Sequence, residues 1–504
     1  MVIGWLTALA LLPMLGAVAV ALVKGPTGRL LGMGVALATL ALGVVVAVRY
    51  GQGADLAEQV MWVRPFGAYY ALGLDGMALL MVLMTLVIVP VVLLAEWRTG
   101  EDQTGRWQSS TYVALVLALE SLALYVFLAT DVLLFYLFFE ATLIPMYFLI
   151  GGWGGVKRGA AAVKFLLYSL AGGLVMLFSV VGVGVLQAQT GSPSYLLADL
   201  MKLDIPANLE PWLFAGFLVA FIVKAPMVPV HTWLPDVAEQ ATPGSSTLLV
   251  GVLDKIGTFG MLRFCLGLFP EASRMATPFM IVLAVISILY GAIAAIGQRD
   301  LMRFVSFTSV SHFGVMVLGI FALTSQSITG SVFYMLNHGF STAAMFLVLG
   351  FLVKRRGSAL IPDTRGVFQV APVLAGLSLV AGLSSLALPG MSSFVSEFLV
   401  LAGTWQRYPV HAAFGTLATV LAALYVLYVY QRVMTGQPTD EVRRTVDRDL
   451  DGRERLVMVP LIAVLLVLGF FPKPALDAIA PLAKATISHV GVADPTPAVK
   501  GANR

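Results

Sequence analysis

Cysteine is almost absent: Cys265 is the only one in 504 residues. That excludes a disulfide framework, a Cys-ligated iron–sulfur cluster and a Cys-rich zinc site. Charge is scarce too. Asp, Glu, Lys and Arg make up 12% of the chain, against about 25% in an average soluble domain. A soluble chain of this length would need several domains with charged surfaces. The composition excludes that, along with a disordered chain, a collagen and a nucleic-acid-binding domain. The net charge of +4 is mild for the length and reads as a topology signal, not as a polyanion-binding surface. What the chain does have is apolar sequence, with 59% hydrophobic residues. The class is an all-α polytopic membrane protein.

A membrane helix needs roughly 20 mostly apolar residues. Fourteen such runs fall near 2–23, 30–48, 76–95, 110–130, 132–151, 165–188, 212–230, 247–269, 277–297, 304–323, 329–352, 372–403, 411–431 and 456–472. The first has no basic n-region and reads as a retained span. Fourteen spans put both termini on one side. The connections after odd-numbered spans hold nineteen of the 31 basic residues, among them Lys24, Arg106, Arg355, Arg365, Arg432 and Arg453; the termini and even connections hold nine, including Lys500 and Arg504. The positive-inside rule then places the odd connections in the cytoplasm and both termini outside, and the bacterial inner (plasma) membrane is the expected location. The stretch 431–455 mixes Arg with acids and reads as a solvated face. The tail beyond Phe471 is expected to end frayed. Gly151–Gly155 before Lys157 and Arg158 matches neither a P-loop nor a dinucleotide fingerprint and is read as a loop.

Two runs contain helix breakers. The seventh reads AFIVKAPMVPVHTWLPD, with Pro226 and Pro229 just after Lys224; the twelfth reads LSSLALPGMSSFVSEFLV, with Pro389 and Gly390 before Glu397. Proline removes an intrahelical hydrogen bond, and in lipid such a break survives only against protein or water. The two breaks lie five spans apart, so their helices run in opposite directions. Spans 4–8 and 9–13 are therefore expected to form an inverted repeat, each half with a broken helix near the transport path. The organisation expected is spans 1–3 over 1–109, a first five-helix repeat over 110–270, a second over 277–431, and a cytoplasmic loop, last helix and external tail over 432–504.

A charge in mid-span costs roughly 2.5–3.5 kcal/mol on insertion scales and marks a functional candidate. The candidates are Glu120 in span 4, Glu140 in span 5, Lys224 in span 7, Asp254 and Lys255 in span 8, His312 in span 10, His338 in span 11 and Glu397 in span 12, with Arg263 nearer a span end. Tyr136, Thr308, Ser309, Ser341 and Ser393 stand three or four residues from one of them, on the same helix face. Each also has a plainer reading. Glu140 and Lys224 could be a structural pair, the histidines satisfied core residues, and the hydroxyls ordinary interhelical bonds. Asp254 points about 100° away from Lys255 and suits a structural or tuning role. Glu120 stays open, and His231 borders the end of span 7, where it could simply cap the segment. Taken together, Glu, Lys, Lys, His, His and Glu make a plausible proton relay, because burial and neighbouring charge set their proton affinities. No oxygen-rich cage, zinc motif or Ser–His–Asp grouping is legible.

DVLLFYLFFEATLIPMYFLIGGWG, FIVKAPMVPVHTWLPDV, GVLDKIGTFGMLRF, RDLMRFVSFTSVSHFGVM, YMLNHGFSTAAMFLVLGFL and LPGMSSFVSEFLVLAG carry a resemblance. The chain resembles the antiporter-like membrane subunits of respiratory complex I and the related cation/proton antiporters, most densely from Asp131 to Trp405. The chain M type is similar in having Glu at the position of Glu397, where chain L and chain N types usually have Lys. The resemblance implies a proton channel coupled to quinone reduction elsewhere. It casts Glu140, Lys224, Lys255, His312, His338 and Glu397 as the relay, with Glu120, Asp254 and His231 secondary. Asp254 departs from the apolar residue that many relatives carry there. No cofactor or metal site is implied in this chain; NADH, FMN, iron–sulfur clusters and quinone belong to partner subunits. The implied partners are other complex I membrane subunits, the chain L and chain N types as neighbours, and the bilayer, with no nucleic acid. Two competing readings stand: a subunit of an antiporter or membrane-bound hydrogenase, and a passive scaffold, which would have no need of so many intramembrane charges.

Overall fold

The computed structural model describes residues 4–23, 25–101, 103 and 107–495. Lys24, Arg106, Lys500 and Arg504, which entered the charge asymmetry, lie outside the described residues, as do the first residues of the first apolar run. Among the described residues, ten helices are long and apolar enough to cross a membrane, or eleven if one bent pair counts as a single span. The apolar runs outside these ten are the seventh, eighth, twelfth and fourteenth. The reason is geometric in each case. The seventh divides into Glu210–Lys224 and Trp233–Gln240. The eighth carries π-helical turns at Leu249–Leu253 and Met261–Cys265. The twelfth divides into Pro372–Ser385 and Ser392–Trp405. The fourteenth, Gly452–Phe470, is followed by Lys473–His489 at 69°.

Leu301–Phe321 and Ser325–Arg356 are almost wholly buried and form the centre of the bundle. Trp5–Leu22, Pro26–Gly51 and Pro409–Met434 lie at the rim, with exposed apolar faces.

Three features correct the sequence reading. The protein is not purely α-helical: Glu58–Val63 and Ala68–Leu72 form an antiparallel hairpin. Its turn is closed by Gly67 at φ +64°, a left-handed conformation that suits glycine. The sequence reading places no helix after Phe471, yet one runs to His489; the end of the tail, where fraying is expected, lies outside the described residues. The helix is amphipathic and buries Ala475, Ile479, Ala483 and Ile487, and His489 Nε2 hydrogen-bonds the Gly267 carbonyl at 2.8 Å. Nor is 431–455 only a solvated face. Glu454 is buried, and Arg355 grips it at 2.5 Å, while Arg453 donates to the carbonyls of Leu94 and Ala95 at the end of the third span.

Candidate functional site

The seventh run breaks immediately after Lys224, and protein groups take up what the break frees. Trp233 Nε1 donates to the Val223 carbonyl at 3.1 Å, and Ser287 Oγ accepts from the Val228 amide at 3.1 Å. This is the satisfaction a broken helix needs inside a membrane. The eighth run packs directly against the break: a Cβ on Gly257 would lie 2.6 Å from the Ala225 amide nitrogen. That close approach sets Asp254 and Lys255 beside Lys224.

Lys224 ends its helix, where a cation suits the dipole. Its Nζ lies 5.4 and 5.6 Å from the ring centres of Phe139 and Phe165 and has no hydrogen-bond partner among the described residues. Glu140 is half-buried, just before the helix interruption at Thr142. It forms no ion pair with Lys224 among the described residues, so the direct Glu–Lys pair envisaged from sequence is not made. The two interact at longer range. Asp254 interacts electrostatically with both Lys224 and Lys255. Both of its oxygens are buried without a hydrogen bond. Asp254 thus lies electrostatically between the two lysines, which its sequence position alone did not reveal.

Lys255 turns the other way. Its Nζ donates to the Val250 carbonyl at 2.7 Å, within the π-helical turn, and meets His338 Nδ1 at 2.8 Å. His338 Nε2 meets Thr342 Oγ1 at 3.1 Å. With a protonated lysine, Nδ1 must accept, so Nε2 carries the hydrogen and donates to Thr342. His312 lies edge-on to His338, ring centres 5.2 Å apart. Its Nε2 is 3.4 Å from the Tyr425 hydroxyl. Tyr334 lies between the two histidines and Glu397: its ring is 5.8 Å from that of His312, and its hydroxyl donates to Glu397 Oε2 at 3.3 Å. Thr419 donates to Glu397 Oε1 at 2.6 Å. Asn337 pins the second half-helix by donating to the Ser392 carbonyl at 3.1 Å.

Three of the five hydroxyls expected beside these groups serve other ends. Thr308 and Ser309 donate to the Val305 carbonyl, and Ser393 faces Ser384. The hydroxyls that do reach the titratable groups are those of Tyr334, Thr342, Thr419 and Tyr425. Tyr334 and Thr342 lie four residues either side of His338, a helical-face signal that was available. Thr419 and Tyr425 come from the thirteenth run and are brought in only by packing.

Glu120 is fully buried with neither oxygen hydrogen-bonded, and it makes no hydrogen bond to the row. His231 lies beyond the break, edge-on to Tyr290 and Phe307. Beside it, Asp236 takes Lys164 at 2.6 Å and Arg303 at 2.7 Å. Burial alone would raise the Asp236 carboxyl, but these two donors outweigh it and hold it below the usual range. Sequence reasoning also missed Glu96. It caps the third span, accepts from the Gly244 amide at 2.9 Å at the start of the eighth run, and pairs with Lys354 at 2.6 Å at the end of the eleventh. Arg263 is paired with Asp75, the residue that caps the start of the third span, at 2.6 Å. Among the described residues no group of His, Cys, Asp and Glu could hold a metal ion.

The model of the family described as "NADH:quinone oxidoreductase/Mrp antiporter, TM" matches residues 129–422, the stretch that contains Glu140, both lysines, both histidines and Glu397. The chain is 47% identical to NADH-quinone oxidoreductase subunit M of Mycobacterium tuberculosis, over 99% of this chain and 96% of the relative. It is 36% identical to the subunit of the same name from Rhodobacter capsulatus, over 85% of this chain and 84% of the relative. Among solved structures it superposes on a chain of respiratory complex I from Thermus thermophilus with bound NADH. The TM-score is 0.88 at 32% identity, covering 96% of this chain and all of the other. A chain of the Mrp complex from Dietzia shares the fold at TM-score 0.84 and 22% identity, covering 96% of this chain and 99% of that one. The chain therefore belongs to the NADH:quinone oxidoreductase/Mrp antiporter family of membrane subunits, among its members of the subunit M type.

Proposed function

We propose that this chain is a proton-translocating membrane-arm subunit of NADH-quinone oxidoreductase. It moves protons from the cytoplasm to the outside while quinone is reduced in other subunits. The observation that carries this reading is the contiguous buried row Lys255–His338–His312–Tyr425/Tyr334–Glu397, in which Lys255–His338, His312–Tyr425 and Tyr334–Glu397 are hydrogen-bonded. The two imidazoles meet edge-on, a step that a ring turn or a water must bridge. The row is laid between two broken helices and continued by Asp254 toward Lys224 and Glu140. Imidazole and phenol groups both donate and accept, so the row can pass a proton by local exchange. Glu140, Lys224, Lys255, His312, His338 and Glu397 carry the relay. Asp254 couples the lysines, and Glu120 and His231 are secondary. NADH, FMN, iron–sulfur clusters and quinone are assigned to partner subunits, with chain L and chain N types as neighbours.

In this reading the chain crosses the bacterial inner membrane fourteen times. The regions 110–270 and 277–431 are inverted five-helix repeats, and both termini lie outside. Purification of the native complex tests the assignment: co-purifying flavin and iron–sulfur subunits are expected, and a set of cation/proton antiporter subunits instead would overturn it. The topology has a separate test. Native Cys265 is buried, so single cysteines introduced in the 435–447 loop and at 494 report alone. Impermeant thiol reagents are expected to reach the first only from the cytoplasm and the second only from outside; the reverse pattern would sink the orientation.

Gly173 supplies a further prediction. A Cβ there would lie 1.6 Å from Glu140 Oε1, so Gly173→Ala must displace the carboxylate. The assembled variant is expected to lose several-fold in protons pumped per NADH oxidised. Glu140→Asp in the same chain, one methylene shorter, should recover part of that loss. Unchanged pumping in Gly173→Ala would remove the position of Glu140 from the mechanism.

A further inference from the structure

A cavity of about 520 Å³ opens at the end of the rim helix Pro409–Met434, between its last turns and the loop that follows Ser325–Arg356. Its polar lining is Thr364, Arg365, Tyr428, Gln431, Arg432 and Thr435. No acidic residue lines it. Asp363 stands in the same loop but not in the lining, and Glu441 is engaged by Arg356 at 3.3 Å.

The two walls are fastened together. The Gly366 amide donates to the Thr435 carbonyl at 3.1 Å, and Gln369 Nε2 donates to the Gly436 carbonyl at 3.1 Å. Both glycines are left-handed, at φ +74° and +87°. A Cβ on Gly436 would stand 2.5 Å from Arg365 Nε, and one on Gly366 would stand 2.3 Å from the Pro438 nitrogen. Glycine is what lets the walls approach and holds the Arg365 side chain at the mouth. Neither Arg365 nor Arg432 has an ion pair among the described residues. Arg432 rests over the Tyr428 ring at 4.8 Å from its centre, which leaves the guanidinium edge free for an anion.

Below the cavity the same helix presents a continuous apolar stripe. Phe414, Leu417, Val420, Leu424, Leu427 and Tyr428 are all exposed, and their three- and four-residue spacing puts them on one face. The stripe runs straight to Gln431 and Arg432. We propose that this cavity and stripe bind one anionic phospholipid. Its phosphodiester lies between Arg365 and Arg432, with the side-chain amide of Gln431 as a further donor, and its acyl chains lie along the stripe. Charge complementarity and continuity with an exposed apolar surface select this occupant. Basic pockets at membrane-interface depth recognise anionic headgroups in this way, and the arrangement places an aromatic ring at headgroup level. A soluble phosphate would satisfy the two arginines but would leave the stripe without purpose. The site is separate from the proton relay and holds for either leaflet.

The test uses the assembled complex in nanodiscs with photoreactive phosphatidylglycerol or phosphatidylcholine, followed by peptide mapping. The anionic probe is expected to label the peptides spanning 414–436, and the zwitterionic probe to label them weakly. In an Arg365→Gln/Arg432→Gln double variant labelling should fall roughly thirtyfold, the scale for losing two interfacial cations. A charge-matched Arg443→Gln/Arg444→Gln control, outside the lining, should label as the parent does. Excess inorganic phosphate should not displace the probe. Four results would overturn the site as a lipid site: equal labelling by both probes, equal loss in the control, displacement by phosphate, or protection of the stripe by a crosslinked protein neighbour.

Discussion

Replacing Lys255 with methionine is expected to abolish coupled proton movement while leaving the complex assembled. In the proposed relay Lys255 is the joint. It is held by the Val250 carbonyl at 2.7 Å and His338 at 2.8 Å, and Asp254 acts on it from its other side. Methionine is close in length, so the cavity that Lys255 fills stays filled. The substitution removes an intramembrane charge whose insertion costs roughly 2.5–3.5 kcal/mol, but it leaves the Val250 carbonyl and His338 Nδ1 without their donor, at about 1–3 kcal/mol each. The two effects roughly offset, so the complex should still assemble while the exchanging proton is lost. Proton-transfer groups contribute on the order of 10²–10⁴ in rate, so pumping per NADH oxidised in inside-out vesicles should drop at least about tenfold. Native gels check assembly. Lys255→Arg is not a neutral control, because a guanidinium stays charged and cannot give up its proton at these pH values; it should be as inactive as methionine. An assembled Lys255→Met complex that pumps normally would exclude Lys255 from the path.

The second large effect is expected at Glu397. Its two oxygens accept from Tyr334 and Thr419, so it is held from two sides at the broken helix. Glu397→Gln keeps one acceptor, and either hydroxyl can turn to accept from the new amide. The variant should therefore assemble, and it should lose pumping to below about a tenth because the amide does not titrate. Glu397→Lys presents three donors to the same hydroxyls, which must both become acceptors. That is chemically possible, and the lysine can carry a proton. It is expected to retain more pumping than Gln. If Lys proves as poor as Gln, the sign of the charge matters and not the proton alone. Normal pumping in assembled Glu397→Gln would take this residue out of the relay.

The sequence by itself determined the class, most of the helices and which titratable residues stand inside apolar runs. Low charge, long apolar runs and breakers beside ionisable groups are local signals, and in a membrane they have few readings because lipid offers no hydrogen bonds. The family was legible for the same reason, since its segments carry those breakers and charges together. Tertiary structure decided which residues actually touch. Asp254 and Lys255 are neighbours in sequence, yet only the packing of the eighth run against the seventh through Gly257 turned one toward Lys224 and the other toward His338. Thr308 and Ser309 looked like relay hydroxyls from their spacing, but each is spent on a carbonyl of its own helix. Thr419 and Tyr425 carried no local mark at all, because their role depends on a helix far along the chain folding back beside Glu397 and His312. The hairpin at 58–72 and the helix after Phe471 escaped because their signals are short and amphipathic, and contacts with the bundle decide whether such segments order. The arginine cavity could not be foreseen from 365 or 432 alone: two glycines had to bring distant loops together before two unpaired charges faced one another.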